Sequence, residues 1–259
     1  MLRAIRKFYQ FFADKPFKKG TVLNDRYEIL SVIGTGSYGI VYLCRDIAAD
    51  ENRVVKQLRP SKGRNNKDVE MFEKEISVLQ RLDHKNIPKF FEEFSYNRYL
   101  FYVMSYIDGK NVEELIFSKK ITFNERESLQ VLSQLLEFVE YLHNKDIYHQ
   151  DLRIPNVLLK DKELYLIDLG LAKSPARQED IPGMKQQDYY DLGEILLFLL
   201  YTTYSSKNKK ALPWTEELSL EKETVFLLKR LLEIEEPYSN TRDIRIDLQT
   251  ALKATENQQ

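Results

Sequence analysis

The sequence predicts an α+β fold, with a small β-rich part followed by a larger helical part. Three observations lead there. Between Tyr27 and Ile107 the apolar residues recur mainly in short alternating runs rich in Val, Ile, Tyr and Phe. Beyond Asp108-Gly109 the apolar spacing changes to that of helices. A glycine-rich turn, GTGSYG at Gly34 to Gly39, joins two strand-like runs, where a dinucleotide-binding α/β unit would pass from strand into helix.

Residues 1 to 13 are expected to form an amphipathic helix, because Leu2, Ile5, Phe8, Tyr9 and Phe12 fall on one side. The first twenty residues carry six Lys/Arg against one Asp, and Pro16 ends the element. Such a helix either docks on the protein's own surface or lies against an anionic membrane. YEILSVIG and GIVYLCRD flank the glycine-rich turn as strands, and NRVVKQL is a third. Residues 66 to 82 read as a helix with the stripe Val69, Phe72, Ile76, Leu79 and Leu82. YLFYVMSYI is a long β segment. Helices are then expected over Glu125 to Asn144, Asp188 to Tyr204, Leu220 to Leu232 and Thr241 to Lys253. One hairpin interrupts them, with VLL and LYLID around the polar turn KDKE.

Composition narrows the setting. With 43% apolar and 31% charged residues and a formal net charge of -1, the chain is an ordinary globular protein with no global signal for nucleic acid. The longest apolar run, Ile195 to Tyr201, is far short of the roughly 20 residues of a membrane span. Arg6 and Lys7 interrupt the N-terminal apolar stretch, which does not suit a secretory leader. The single Cys44 excludes an internal disulfide and fits a reducing compartment, so a cytoplasmic location is expected.

Three groups of residues carry chemistry. Side-chain-free positions in Gly34 to Gly39 let backbone N–H groups approach phosphate oxygens, and a strand-turn-strand context suits a flexible lid over them. Lys56 alone would be an exposed lysine on an edge strand. Glu75 changes that reading, since it lies between Leu79 and Leu82 on the apolar stripe and a buried carboxylate requires a partner. In IYHQDLRIPNVLL, residues 147 to 159, Asp151 can accept a hydroxyl proton. Arg153 supplies positive charge, and Asn156 with Asp168 supplies hard oxygen ligands of the kind Mg²⁺ prefers. His149 is read as structural rather than as a metal ligand, because neither cysteine nor a histidine cluster accompanies it.

Together these motifs resemble the eukaryotic-like (Hanks-type) protein kinases, most closely the small bacterial serine/threonine members, over about residues 27 to 253. IGTGSYGIV is similar to the glycine-rich loop, VVK to the lysine strand and HQDLRIPN to the catalytic loop. DLG stands where D-F-G is usual, and DYYDLG resembles the start of the central helix of the larger lobe. The resemblance implies a bilobal protein-kinase fold. Its β-rich N-lobe with one regulatory helix would span 27 to 104, and its mainly helical C-lobe 108 to 253. Residues 1 to 20 precede this as helix and linker, and a polar tail, 254 to 259, follows.

By the same resemblance the catalytic residues are Asp151, Arg153 and Lys56, and Asn156 and Asp168 hold Mg²⁺ or Mn²⁺. ATP would be bound by Ile33, Gly34, Thr35, Gly36, Ser37, Tyr38, Gly39, Ile40, Val41, Val54, Lys56, Glu75, Met104, Ser105, Ile107 and Leu158. Met104 would be the gatekeeper, the backbones of Ser105 and Ile107 would meet adenine, and Val41, Val54 and Leu158 would enclose it. The implied activity is transfer of the γ-phosphate of ATP to a serine or threonine of a protein substrate that the sequence does not identify. The oligomeric state is not encoded in any motif. Residues 1 to 13 offer a peripheral membrane contact.

Departures from the pattern matter. Arg153 stands for lysine, Val54 for alanine, and Gln150 for the arginine that would receive an activation-loop phosphate. Asp168 and Asp188 are only twenty steps apart, A-P-E has no counterpart, and Ser174 is the sole hydroxyl residue between Leu169 and Gln187. Arg242, which resembles the arginine that pairs with the A-P-E glutamate, is expected to turn to Glu179 or Asp180 or to stay unpaired. The missing platform keeps two further functions in view: a small-molecule kinase, and a nucleotide-binding scaffold.

Overall fold

The computed structural model describes residues 14–205 and 212–258. The expected helix over residues 1 to 13 lies outside them. The chain divides into two compact units, the first ending at Asp108 and the second beginning at Gly109.

The first unit is built on a six-stranded antiparallel sheet. Its strands are β1 (Val22–Leu23), β2 (Tyr27–Thr35), β3 (Gly39–Asp46), β4 (Glu51–Leu58), β5 (Phe90–Tyr96) and β6 (Tyr99–Ser105), in the order β1-β2-β3-β4-β6-β5. Alternation sends Ile40, Tyr42 and Cys44 of β3 inward, where they pack with Leu23, Tyr27, Ile29, Val55, Phe101 and Val103. Phe17, Phe94, Tyr96 and Tyr99 close over this core. Bulges between Ile29 and Ser31 and between Val32 and Gly34 disturb the register as β2 enters the glycine-rich turn. Helix α1 (Asn66–Gln80) starts at Asn65, whose side chain accepts from the Lys67 N–H. It is two residues shorter than the sequence predicts; Leu82 lies past its end but is still buried.

Strand β5 has no counterpart among the expected elements, and its inward-facing side explains why. Glu92 shares that side with Phe94 and Tyr96 and accepts from Arg26 Nη1 at 3.0 Å and from the Tyr27 hydroxyl. A carboxylate in the apolar file hides a period-two signal. The β5–β6 turn places Asn97 and Arg98 at φ 50° and 67°, the left-handed pair of a two-residue hairpin.

The second unit begins with β7 (Lys110–Asn111) and α2 (Val112–Lys119), neither of them expected. It continues with α3 (Glu125–His143), β8 (Val157–Lys160), β9 (Glu163–Leu166), α4 (Ile181–Tyr201), α5 (Trp214–Glu217), α6 (Lys222–Leu231) and α7 (Thr241–Ala254). Asn124 and Glu127 form a reciprocal capping box on α3, and Asn240 caps α7. The polar turn between β8 and β9 again uses two left-handed residues, Asp161 and Lys162. Gly193 of α4 is where the helix meets the end of α6: a Cβ there would stand 2.9 Å from Leu231 Cβ.

The largest departure is at α4, which begins at Ile181 and not at Asp188. Pro182 falls in its first turn, where a fixed φ and a missing N–H cost nothing. Two turns of helix thus occupy the stretch before the DYYDLG motif.

Candidate active site

In the first unit, the glycine-rich turn follows β2 and leads into β3. Gly36 N–H donates to the Gly39 carbonyl at 3.0 Å, closing the turn. Ile33 and Tyr38 are large apolar side chains left 50% and 42% exposed, and Thr35, Gly36 and Ser37 are exposed beside them. Gly34 is half-buried, and Ile40 points into the core. A Cβ at Gly39 would stand 3.0 Å from the Lys56 Cε, so this glycine lets β3 lie against the lysine. Val41 is half-buried and is opposite Lys56; Val54 is buried and opposite Met104, itself buried on β6. The N–H of Ser105 donates to the Lys89 carbonyl at 2.9 Å, which removes that donor from the groups expected to meet adenine. Ile107 lies past the last ladder pair and is half-buried.

Lys56 and Glu75 meet as the buried stripe of α1 requires. Nζ lies 2.5 Å from Oε1, with the two side chains only 13% and 7% exposed. The Tyr102 hydroxyl donates to the same Oε1 at 2.9 Å. The carboxylate is thus held by two donors, and the ammonium is fixed on the sheet face next to the turn's last glycine.

In the second unit, the loop from His149 to Asn156 is tied down through its backbone. Asp188, wholly buried on α4, accepts from His149 N–H at 3.0 Å and Gln150 N–H at 2.7 Å. Its Oδ2 also meets His143 Nε2 at 2.9 Å. Asp191, one turn on, accepts from Leu152 N–H at 2.9 Å, and burial pushes its carboxyl up from the usual range. Gln150 sits at φ 64° and donates through its amide to the Met184 carbonyl at 2.8 Å. Where the resemblance to protein kinases would put an arginine, a neutral amide here engages the extra helical turns of α4.

Asn111, at the start of α2, donates to the Pro155 carbonyl at 2.7 Å and steadies the far end of the loop. A 3₁₀ turn, Ile154–Asn156, leads into β8. Asn156 is buried and donates through Nδ2 to the Asp151 carbonyl at 3.2 Å, which leaves its Oδ1 as the oxygen turned to other partners. Asp168, just past β9, accepts from Gly170 N–H at 3.0 Å through Oδ1. Leu158 on β8 is half-buried, and a Cβ at Gly109 would press on it at 3.0 Å. Asp151 is 34% exposed on its side chain, with Arg153 Nε 3.1 Å from Oδ1. His149 is buried and its pKa is lowered by that burial, which outweighs Asp188, Asp168 and Asp151 around it. Its Nδ1 accepts from Asp151 N–H at 3.4 Å, as a neutral ring can.

No three His, Cys, Asp or Glu side chains converge as a metal cage among the described residues. Asn156 and Asp168 nevertheless fit Mg²⁺, which is commonly bound by one or two protein oxygen groups together with substrate phosphates and water. From Asp168 the chain makes a single bridge, Tyr148 with Lys173, then a 3₁₀ turn at Gln178–Asp180, and enters α4. Glu179 and Asp180 pair with Arg177, at 2.7 and 3.4 Å. They do not take up Arg242, which is exposed on α7.

A strand-borne lysine with its helix carboxylate, a glycine-rich hairpin, and an anchored Asp–Arg–Asn loop followed by a second aspartate define a phosphotransferase of the kinase class. A family model described as protein kinase domain matches residues 27–233, and the chain belongs to the protein kinase family. It is 47% identical over 253 residues to "Probable serine/threonine-protein kinase YbdM" of Bacillus subtilis, covering 97% of this chain and 99% of that protein. It is 32% identical to calcium-dependent protein kinase 4 of Plasmodium falciparum over 72% of this chain, but spans only 35% of that longer protein. The kinase domain of Mycobacterium tuberculosis PknI has the same fold, with a TM-score of 0.71 and 18% identity over 91% of this chain and all of that domain.

Lys56, Glu75, Asp151, Asn156 and Asp168 are legible as motif residues. Asp188 and Asp191 as anchors of the loop, Gln150 as its tie to α4, and Asn111 are not. A buried carboxylate on an otherwise apolar helix face was the available signal for the first two.

Proposed function

We propose that this serine/threonine protein kinase uses ATP with Mg²⁺ or Mn²⁺ and works through an activation segment shortened to the stretch between Asp168 and Asp188. Asp151 accepts the proton of the incoming hydroxyl. Arg153 places positive charge beside it, and Lys56, held by Glu75, orients the nucleotide's phosphates. Asn156 and Asp168 hold the metal, which when bound neutralises charge on the phosphate oxygens. The observation that carries the reading is the anchoring of His149, Gln150 and Leu152 to α4 while the Asp151 carboxylate between them stays open to solvent. Only an aspartate fixed in this way and still accessible can meet a substrate hydroxyl in a reproducible geometry.

Phosphate on the activation segment is not the switch. Gln150 carries no charge to receive it, and its amide is engaged by Met184. The protein acts in a reducing compartment, in keeping with a single, buried Cys44; no helix among the described residues is long and apolar enough to cross a membrane.

The test is intact-mass analysis after incubation with ATP and Mg²⁺, beside Asp151→Asn. Added phosphate on the wild type, lost in the variant while nucleotide binding persists, is the expected result. Equal labelling of both would remove Asp151 from the chemistry. The short segment favours one second reading, a small-molecule acceptor; turnover in a metabolite panel with no protein labelling would establish it.

A further inference from the structure

The tip of the glycine-rich turn is held from outside the turn. Arg59, the first residue after β4, donates through Nε to the Gly36 carbonyl at 2.6 Å and through its backbone N–H to the Tyr38 carbonyl at 2.9 Å. The other end of the guanidinium meets Asp14, with Nη1 3.3 Å from Oδ2. Asp14 also accepts from the N–H and the hydroxyl of Ser61, both at 2.9 Å. Its side chain is only 7% exposed, so it is built into this corner.

Three residues on, Phe17 keeps it there. The ring packs edge-on against Tyr42, Tyr96 and Tyr99, and the Phe17 N–H donates to the Tyr42 hydroxyl at 3.2 Å. Asp14 and Phe17 both precede β1 and lie outside the stretch that matches the kinase family. Lys62 adds a second hold, its ammonium 4.9 Å above the Tyr38 ring.

The glycines of the turn supply no side chains to order its tip. A Cβ at Gly36 would meet nothing within 4 Å, so the tip is not packed. A turn that offers N–H groups to phosphates loses conformational freedom on binding, and fixing it beforehand lowers that cost. We propose that Arg59, oriented by Asp14, is a positioning residue for the phosphate-binding turn, through which the segment ahead of the kinase domain sets nucleotide affinity. The proposal rests on the reading of Gly34 to Gly39 as part of an ATP site.

Equilibrium binding of Mg²⁺–ATP and of adenosine to the full chain tests it, using wild type, Asp14→Asn, Arg59→Met and the double variant. Arg59→Met should weaken ATP by about fivefold, the scale of one partly exposed charge-assisted hydrogen bond, and leave adenosine unchanged. Asp14→Asn should weaken ATP by about twofold, and should add nothing once Arg59 is gone, because it acts through Arg59. Equal weakening of ATP and adenosine would mean general destabilisation and overturn the proposal, as would independent, multiplying effects of the two substitutions. ATP binding unchanged in Arg59→Met would overturn the proposal alone. A wild type that binds adenosine but gains nothing from the phosphates would overturn both it and the ATP reading of the turn.

Discussion

Replacing Glu75 by Gln isolates the charge of the Lys56–Glu75 pair while nearly keeping its shape. At 2.5 Å the gross attraction between the two charges is about 6–7 kcal/mol at an effective dielectric constant of roughly 20. Desolvation of both groups offsets most of it, since the side chains are only 13% and 7% exposed. What the substitution leaves is an ammonium in a mostly buried site facing a neutral amide, while the Tyr102 hydroxyl can still donate to the amide oxygen. Removing one partner of a fully buried pair costs about 3–5 kcal/mol; with a neutral acceptor retained, about 2–3 kcal/mol is expected here. For a chain of this size that lowers Tm by about 4–10 °C. Thermal unfolding and phosphate transfer should be measured on the same samples, with Tyr102→Phe as the control for loss of a neutral hydrogen bond. The double substitution Lys56→Met with Glu75→Leu should recover most of the stability, since packed apolar residues replace a buried pair at little cost, and, with the proposed phosphate-orienting lysine gone, none of the transfer. A Glu75→Gln protein with unchanged Tm and full transfer would refute the reasoning.

Two other expectations follow from burial. His149 has its pKa lowered by burial, so the folded protein disfavours the protonated ring; this stability is present above the unfolded value of about 6.5 and is lost as pH falls below it. Urea midpoints at pH 7.5 and pH 5 should therefore differ more for the wild type than for His149→Phe, and equal differences would remove His149 as the cause. Gly193→Ala forces a methyl to 2.9 Å from Leu231 Cβ and 3.0 Å from Leu232 Cδ2. It should cost about 1–3 kcal/mol by overpacking, visible as a lower denaturant midpoint with unchanged slope, and an unshifted midpoint would contradict the close α4–α6 approach.

How far the sequence could be read depended on whether each signal was local. The strands flanking Gly34 to Gly39 and the helix bearing Glu75 followed from periodicity, and the need of a stripe carboxylate for a partner identified Lys56. Strand β5 escaped because Glu92 occupies an inward position, and its justification, Arg26 and Tyr27, is more than sixty residues away. The expected start of α4 at Asp188 falls seven residues late, since the DYYDLG motif marks a site inside the helix and Pro182 marks its true beginning. Of the outcomes open for Arg242, pairing with Glu179 or Asp180 does not occur, because Arg177 lies within three residues of both and takes them up. The anchoring of the His149 to Asn156 loop is not legible at all: it consists of backbone N–H groups meeting side chains some forty positions on, and backbone groups leave no mark in a sequence.

That anchoring gives the loop the opening energetics of a helix. Loops ordinarily exchange their amide protons through small local fluctuations, because few of their N–H groups have fixed acceptors. Here the amides of His149, Gln150 and Leu152 bond to carboxylates one turn apart on α4, a helix of 21 residues buried along most of its length. Their protons reach solvent only when the bonds to Asp188 and Asp191 break, and both carboxylates stand in the middle of α4. The residues around Asp151 are thus tied to the longest described helix, and the opening of this loop is coupled to the middle of α4.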